Sequence, residues 1–315
     1  MSNSRPEDRL PYGGANLTSD TVVLDVSRDW VTACDVQEKF MQRTEQMVDS
    51  LSYSARSRQV RALGGDFYDF MPLPHDCPAL TVGDASGKEL AAASMIANVQ
   101  SSVRTAASFA GSDGPAVVTA VNRQVHASSL EDRLATLFYG VYDGTKRRLQ
   151  YVNAGHNPPM VIRRDGSIIS LEAWGAPVRI FADSSYEQGT IELNPGDLIL
   201  AYTDGIIEAT NPAESEWGAE GLQKTAARTS SLCAAEIVEV TFTSMDQFSL
   251  GPQTDALSEG ALSCRFQLLS FTTLFTLLES AAMPRFVFGV DSAEPLPTNA
   301  AMARGGSITR LACGG

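Results

Sequence analysis

The chain is poor in the residues that most often build redox and transition-metal chemistry. It has only 3 histidines and 5 cysteines among 315 residues. The cysteines (34, 77, 233, 264 and 313) are scattered, odd in number and without Cys-x-x-Cys spacing. That pattern indicates neither a disulfide framework nor a zinc site, and fits reduced thiols in a cytoplasmic protein. Basic residues are also short: 24 Lys and Arg against 37 Asp and Glu leave a net charge of −13. Such a surface disfavours non-specific binding to nucleic acid or to an anionic membrane. The uncharged, apolar-leaning runs, 266–278 among them, are too short to cross a bilayer. The opening MSNSRPEDRLPYGG lacks the apolar centre of a secretory leader. What remains is ordinary globular composition, 43% hydrophobic and 19% charged. The length suffices for one large domain or two small ones with a substantial core.

Residues 1–32 read mainly as a loose polar arm, with a short strand at 21–26, TVVLDV. A helix is expected over 35–51, where Asp35 can cap and Val36, Phe40, Met47 and Leu51 share a face. Two further helices follow, at 89–108 and 113–129, the second with Pro115 in its first turn. The period then shifts to two: 134–143, 147–155 and 159–166 alternate or run apolar between Asp-Gly and Gly-His-Asn-Pro-Pro punctuation, as an antiparallel meander does. A strand is expected over 196–205, and helices over 221–229 and 234–248. The order is α+β, with helices covering packed antiparallel sheets.

Four aspartates sit at glycine-marked turns beside apolar strands: Asp66 in GGDFYDF, Asp84 in TVGDASGK, Asp204 in AYTDG and Asp255 in GPQTD. Singly, each is ordinary turn chemistry. Together, on strands able to lie side by side, they would repel unless cations lie between them. Carboxylates with few histidines and no clustered cysteines select hard cations, Mg²⁺ or Mn²⁺. Two such ions roughly 3.5–4 Å apart activate water and clamp a phosphoryl group. They would also reverse the local sign of a protein that otherwise repels phosphate.

Five stretches, GGDFYDF, VGDASGK, ATLFYGVYD, YVNAGHNPPM and PGDLILAYTDGIIEA, occur in the order and approximate spacing of the SpoIIE/RsbU-type serine phosphatases. That family is a bacterial signalling branch of the PPM (type 2C) metal-dependent phosphatases, and the resemblance covers about residues 33–255. It implies an αββα sandwich of two antiparallel sheets flanked by helix pairs, with two Mn²⁺ or Mg²⁺ ions at one end. It further implies that Asp84 bridges both ions and that the Ala85 carbonyl is a backbone ligand. Asp66 would hold metal directly or through water, and Asp204 and Asp255 would complete one ion's shell. A metal-bridging hydroxide would attack phosphoserine or phosphothreonine. The substrate implied is a phosphorylated STAS-domain anti-anti-sigma protein in partner-switching stress signalling. The stretch before Asp66 is short for a sensor domain, so activation is expected from a partner protein or from self-association through helix 35–51.

Other positions have two readings. Lys88 and Arg61 are candidates for holding substrate phosphate, Arg58 less so, and each is also an ordinary surface cation. Asp69 suits either metal support or a turn. His156 is a candidate general acid or a hydrogen-bonded loop anchor; His75 and His126 have no partner at metal spacing.

The sequence also departs from the family pattern. Glu89 stands where a glycine is usual, which would strain the turn if that position needs φ > 0. Val178-Arg179 replaces a usual Leu-Gly in a substrate-side loop. Asp255 is followed by Ala256 instead of a second aspartate and a β-rich strand. Residues 256–315 hold four acids and four bases, so the first 255 residues carry the entire net charge. This break suggests a change of reading frame near codon 256 that removes the last core strand, with 265–283 a helix or an aggregation-prone segment. On that expectation the alternative to an active enzyme is a catalytically impaired pseudophosphatase that works by binding.

Overall fold

Alternating apolar residues build two antiparallel five-stranded sheets, one strand of which comes from the unusual tail. In this computed structural model the described residues are 19–41, 51–58, 63–74, 77–87, 89–128, 133–172, 174–229, 232–250 and 272–279. The helices are Ser19–Phe40 (α1), Glu89–Ala110 (α2), Gly114–Ser128 (α3), Asp204–Ile207 (α4), Gly218–Arg228 (α5) and Ala234–Leu250 (α6). The strands begin with Leu51–Arg58 (β1), Asp66–Met71 (β2), Ala79–Ala85 (β3), Ala135–Asp143 (β4) and Arg148–Ala154 (β5). They continue with Met160–Ile162 (β6), Ile168–Ser170 (β7), Gly189–Glu192 (β8), Leu198–Tyr202 (β9) and Thr272–Glu279 (β10). One sheet runs β1-β10-β9-β6-β7 and the other β2-β3-β4-β5-β8.

Three apolar layers follow from the side-chain period of two. In β9, Ile199 and Ala201 face the space between the sheets, while Leu198, Leu200 and Tyr202 face α5 and α6. The inter-sheet layer is filled by Leu51, Tyr53, Tyr68, Phe70, Phe138 and Tyr142. On the far side, Val99 and Val103 of α2 and Val117 and Val121 of α3 cover Phe67, Leu137 and Val152. Each fully buried side chain of this size contributes about 1.5–3 kcal/mol by leaving water. The product is the expected αββα sandwich.

The expectations fail at both ends of the chain. Residues 19–32 are helical, not a loose arm, and TVVLDV lies inside α1 instead of forming a strand. A short apolar run cannot by itself distinguish the two. Here one helix runs unbroken through it from Ser19 to Phe40. The helix expected over 35–51 ends at Phe40, and Leu51 opens β1; residues 42–50 lie outside the described residues. The largest correction concerns the tail. Thr272–Glu279 does not form the helix expected as one reading of 265–283. It is a strand paired antiparallel to β1 from Leu51↔Glu279 to Arg58↔Thr272 and to β9 from Leu274↔Tyr202 to Leu278↔Leu198. TTLFTLLE is rich in threonine and large apolar residues, so it suits a central strand. The sheet therefore has no missing member, and the sandwich extends beyond residue 255.

Candidate active site

β2 and β3 place two carboxylates directly across from each other, Asp66 against Asp84. Asp66 is 1% exposed, and its Oδ2 accepts a 2.5 Å hydrogen bond from the Thr203 hydroxyl. Thr203 caps α4, immediately after β9 of the other sheet. One hydrogen bond thus joins the two sheets at the end of the sandwich, and the next residue, Asp204, opens α4 there. Gly65 leaves room beside this pair. A Cβ at its position would lie 2.7 Å from the Ala85 carbonyl oxygen and 3.2 Å from Asp84 Oδ1. Two oxygens therefore face a bare Cα, an approach that any side chain would block.

Burial raises Asp66 well above the ordinary carboxylate range, and the charges of Asp84 and Asp204 raise it further. Asp84 is pushed up to about 6 by burial and then by Asp204. Burial also raises Asp204. Glu208, which the sequence reading did not single out, is raised by burial and by Asp204, and its charge acts on Asp84. It lies one turn after Asp204 in TDGIIEA, a spacing that puts both on one helix face. Crowded carboxylates that resist ionisation are what a divalent cation would offset. With the open Ala85 carbonyl, this all-oxygen set fits Mg²⁺ or Mn²⁺. Among the described residues no three His, Cys, Asp or Glu side chains form a metal cage by themselves.

The structure brings Asp66, Asp84, Ala85 and Asp204 to one place. Asp255, Lys88 and Arg61 lie outside the described residues, as does His75. Arg58 turns to α6, binding Asp246 through two nitrogens at 2.6 and 3.0 Å. Asp69 is neither a metal support nor a turn residue: within β2 it accepts two bonds from Arg104 of α2, at 2.5 and 2.7 Å, and a third from Gln100 at 3.2 Å. His156 is buried, with Nδ1 2.9 Å from the Thr136 hydroxyl and its backbone N–H bonded to Asn153. Burial lowers its pKa to about 4, so a neutral ring anchors the loop beside Thr136, the register partner of Asp84.

Glu89 opens α2 and is not among the described non-glycine residues with positive φ, which are Arg147, Arg179 and Glu214. Of the positions where the sequence departs from the family pattern, Arg179 is held at φ 83°. An apolar pocket of about 340 Å³ opens beside Asp66, lined by Val36 and Met41 from and just after α1 and by Leu63, Leu90, Ala93 and Ile96. At its edge the Gln37 amide bonds both backbone groups of Gly64, donating at 2.6 Å and accepting at 2.9 Å.

A two-sheet sandwich between helix pairs, with clustered carboxylates at one end, is the architecture of the PP2C-type phosphatases. Residues 74–259 match the family of Stage II sporulation protein E, and the chain belongs to that SpoIIE family. It is 26% identical to the phosphoserine phosphatase RsbU of Bacillus subtilis over 206 residues, covering 64% of this chain and 61% of RsbU. It is 25% identical to protein IcfG of Synechocystis over 219 residues, covering 60% of this chain and 34% of IcfG. The chain thus spans less than two thirds of the length of these relatives. The RsbU and RsbW domains of Rv1364c from Mycobacterium tuberculosis superpose with a TM-score of 0.60 at 25% identity, over 77% of this chain and 65% of that one. The SiaA-PP2C domain of Pseudomonas aeruginosa shares the fold with a TM-score of 0.64 at 15% identity, over 82% and 98% of the two chains.

Proposed function

We propose that the chain is a metal-dependent protein serine/threonine phosphatase acting in the cytoplasm on phosphoserine or phosphothreonine. The observation that carries this is the opposed Asp66–Asp84 pair, with Asp204 beside it and Gly65 leaving the Ala85 carbonyl open. These residues, with Asp255, would hold two Mn²⁺ or Mg²⁺ ions. When bound, the ions supply an activated water and positive charge to offset the phosphoryl oxygens. Thr203 fixes the orientation of Asp66, and the neutral His156 braces Thr136 behind Asp84. The chain offers no cysteine phosphatase signature, so no phospho-enzyme is expected.

The substrate is a phosphorylated STAS-domain anti-anti-sigma protein in partner-switching stress signalling; the similarity to the phosphoserine phosphatase RsbU supports that setting. Control enters through α1. It carries exposed Val31 and Val36 and holds Gly64, two residues before Asp66, through Gln37. An activating protein or a second copy of the chain would act on this helix. The break at residue 256 is read as a change of frame, and translation of the other two frames of the gene decides it. A frame that restores a second aspartate after Asp255 is the expected result.

The alternative of a catalytically impaired pseudophosphatase that works by binding rests on the sequence departure after Asp255, where Ala256 stands in place of a second aspartate. Hydrolysis of p-nitrophenyl phosphate with and without Mn²⁺ separates the two readings. An active enzyme shows a Mn²⁺-dependent rate that Asp84→Asn lowers by about 100-fold or more. Equal rates for parent and variant would remove the phosphatase reading and leave the binding one.

A further inference from the structure

The pairing of strands past Asp84 brings a second set of residues to the mouth of the site. Ala85 pairs with Ala135, and Ala135 in turn exchanges backbone bonds of 3.2 and 2.7 Å with Val178. Beyond this row the three chains continue on one side as Ser86-Gly87, Leu134-Arg133 and Arg179. Arg133 lies against Gly87, so closely that a Cβ there would fall 2.0 Å from its guanidinium nitrogen. Arg179 donates from its own guanidinium to the Arg133 carbonyl at 3.2 Å. Two guanidinium groups therefore stand at the end of β3, two to three residues past Asp84, on a protein of net charge −13.

The loop after Val178 is held rigidly. Asn122 of α3 is fully buried. Its amide accepts from the Arg179 backbone at 2.7 Å and donates to the Phe181 and Ala182 carbonyls at 2.8 and 3.2 Å. A loop fixed this way could bury its apolar residues, yet Ile180 is 40% and Phe181 65% exposed. Arg179 itself is kept at φ 83°, a conformation that disfavours any side chain and concentrates at functional sites. A rigid backbone presenting adjacent cationic and apolar side chains is a preorganised contact surface.

We propose that Arg133 and the Arg179–Phe181 ridge form the substrate-selecting surface of this site, taking a phosphorylated protein segment that presents an anionic group beside an apolar side chain. The proposal rests on the phosphatase reading. The guanidinium groups meet either the phosphoryl group or a carboxylate flanking it, and the apolar side chain packs on Ile180 and Phe181.

The test compares p-nitrophenyl phosphate with two phosphoserine peptides, one flanked by aspartate and leucine and the other by glycine. The ratio of kcat/KM for the Asp/Leu peptide to that for p-nitrophenyl phosphate should fall about tenfold or more in Arg179→Gly and Phe181→Ser, chiefly through KM. Arg179→Gly should also raise the Tm, because glycine accepts this φ. Arg133→Gln should raise KM for the aspartate-flanked peptide alone if the carboxylate is the anion, and for all three substrates if it is the phosphoryl group. Ratios and KM values within about twofold of the parent in all three variants would overturn the proposal. If the parent shows no metal-dependent hydrolysis, the phosphatase reading fails separately. Binding of the fluorescently labelled Asp/Leu peptide then decides: weaker binding in the variants supports the surface, while equal binding by all, or none by the parent, overturns it.

Discussion

Asp84 meets neutral solution with a pKa raised from 3.8 to about 6, so ionising it there works against the metal-free fold. The folded state holds the proton more tightly than the unfolded chain. Its contribution is therefore most favourable at low pH and is lost as pH rises from about 4 through about 6. His156 runs the other way in the same window: its pKa falls from 6.5 to about 4, so protonation of the unfolded chain destabilises the fold below about 6.5. The two slopes oppose each other, and only a difference isolates Asp84. Without metal, Asp84→Asn should be more stable than the parent at pH 7.5, by up to about 3 kcal/mol, with the gap closing toward pH 4. Mn²⁺ should raise the parent's Tm and leave the variant's nearly unchanged. Thermal melts at four or five pH values check this, and a constant gap would contradict it. Asp69 has a different logic, because its charge is matched by half-exposed Arg104. Arg104→Ala should cost about 2 kcal/mol by stranding a buried carboxylate, a change that denaturant unfolding reads directly. This pairing was not legible in the sequence: the partners stand 35 positions apart, on a strand and a helix. The recurrence of aspartate at strand edges, by contrast, was legible, because strand ends on adjacent sheets meet in space.

At the scale of elements, the α2–α3 pair, the α5–α6 pair and the paired strands β4 and β5 follow their sequence periods closely. Those segments are long, strongly patterned and bounded by glycine or proline. The third strand expected in the meander, 159–166, is only Met160–Ile162 and joins the other sheet between β9 and β7. The N-terminal region misled for a physical reason. In LSYSARSR the residues Leu51, Tyr53 and Ala55 enter the inter-sheet core, but Leu51 also completes a helical spacing from Val36, Phe40 and Met47. Tertiary pairing with β10, more than 200 residues away, decides in favour of strand. The same region holds the clearest local link to the site. Gln37 of α1 satisfies the buried N–H and C=O of Gly64. Gln37→Leu keeps the helix and removes both partners, which should cost about 1–3 kcal/mol. Hydrogen exchange should accelerate at residues 63–66, with α5 and α6 unchanged. Uniform acceleration across all helices would mean that the link is not local.

For the whole molecule, the telling feature is where the chain's last described strand lies. β10 is interior to its sheet, between β1 and β9, and α6 packs over both it and β1. Without β10, β1 would lose its backbone partner and carry its buried face into solvent. The composition change at residue 256 is real, with a neutral tail after a strongly acidic body. Net charge, however, bears on solubility and association, not on fold. A threonine- and leucine-rich segment can complete a sheet whatever its origin, because a central strand is specified by pattern and by the vacancy between its neighbours. Truncation measures this. A chain ending at residue 280 should retain cooperative thermal unfolding and sandwich-like circular dichroism. A chain ending at residue 255 should lose the cooperative transition, or melt far lower, since an interior strand contributes to both neighbouring ladders. It should also lose Mn²⁺-induced stabilisation, because Asp66 and Thr203 come from opposite sheets and depend on their registration. Parent-like melting of the 255-residue chain would show that β1 and β9 close the sheet without the tail.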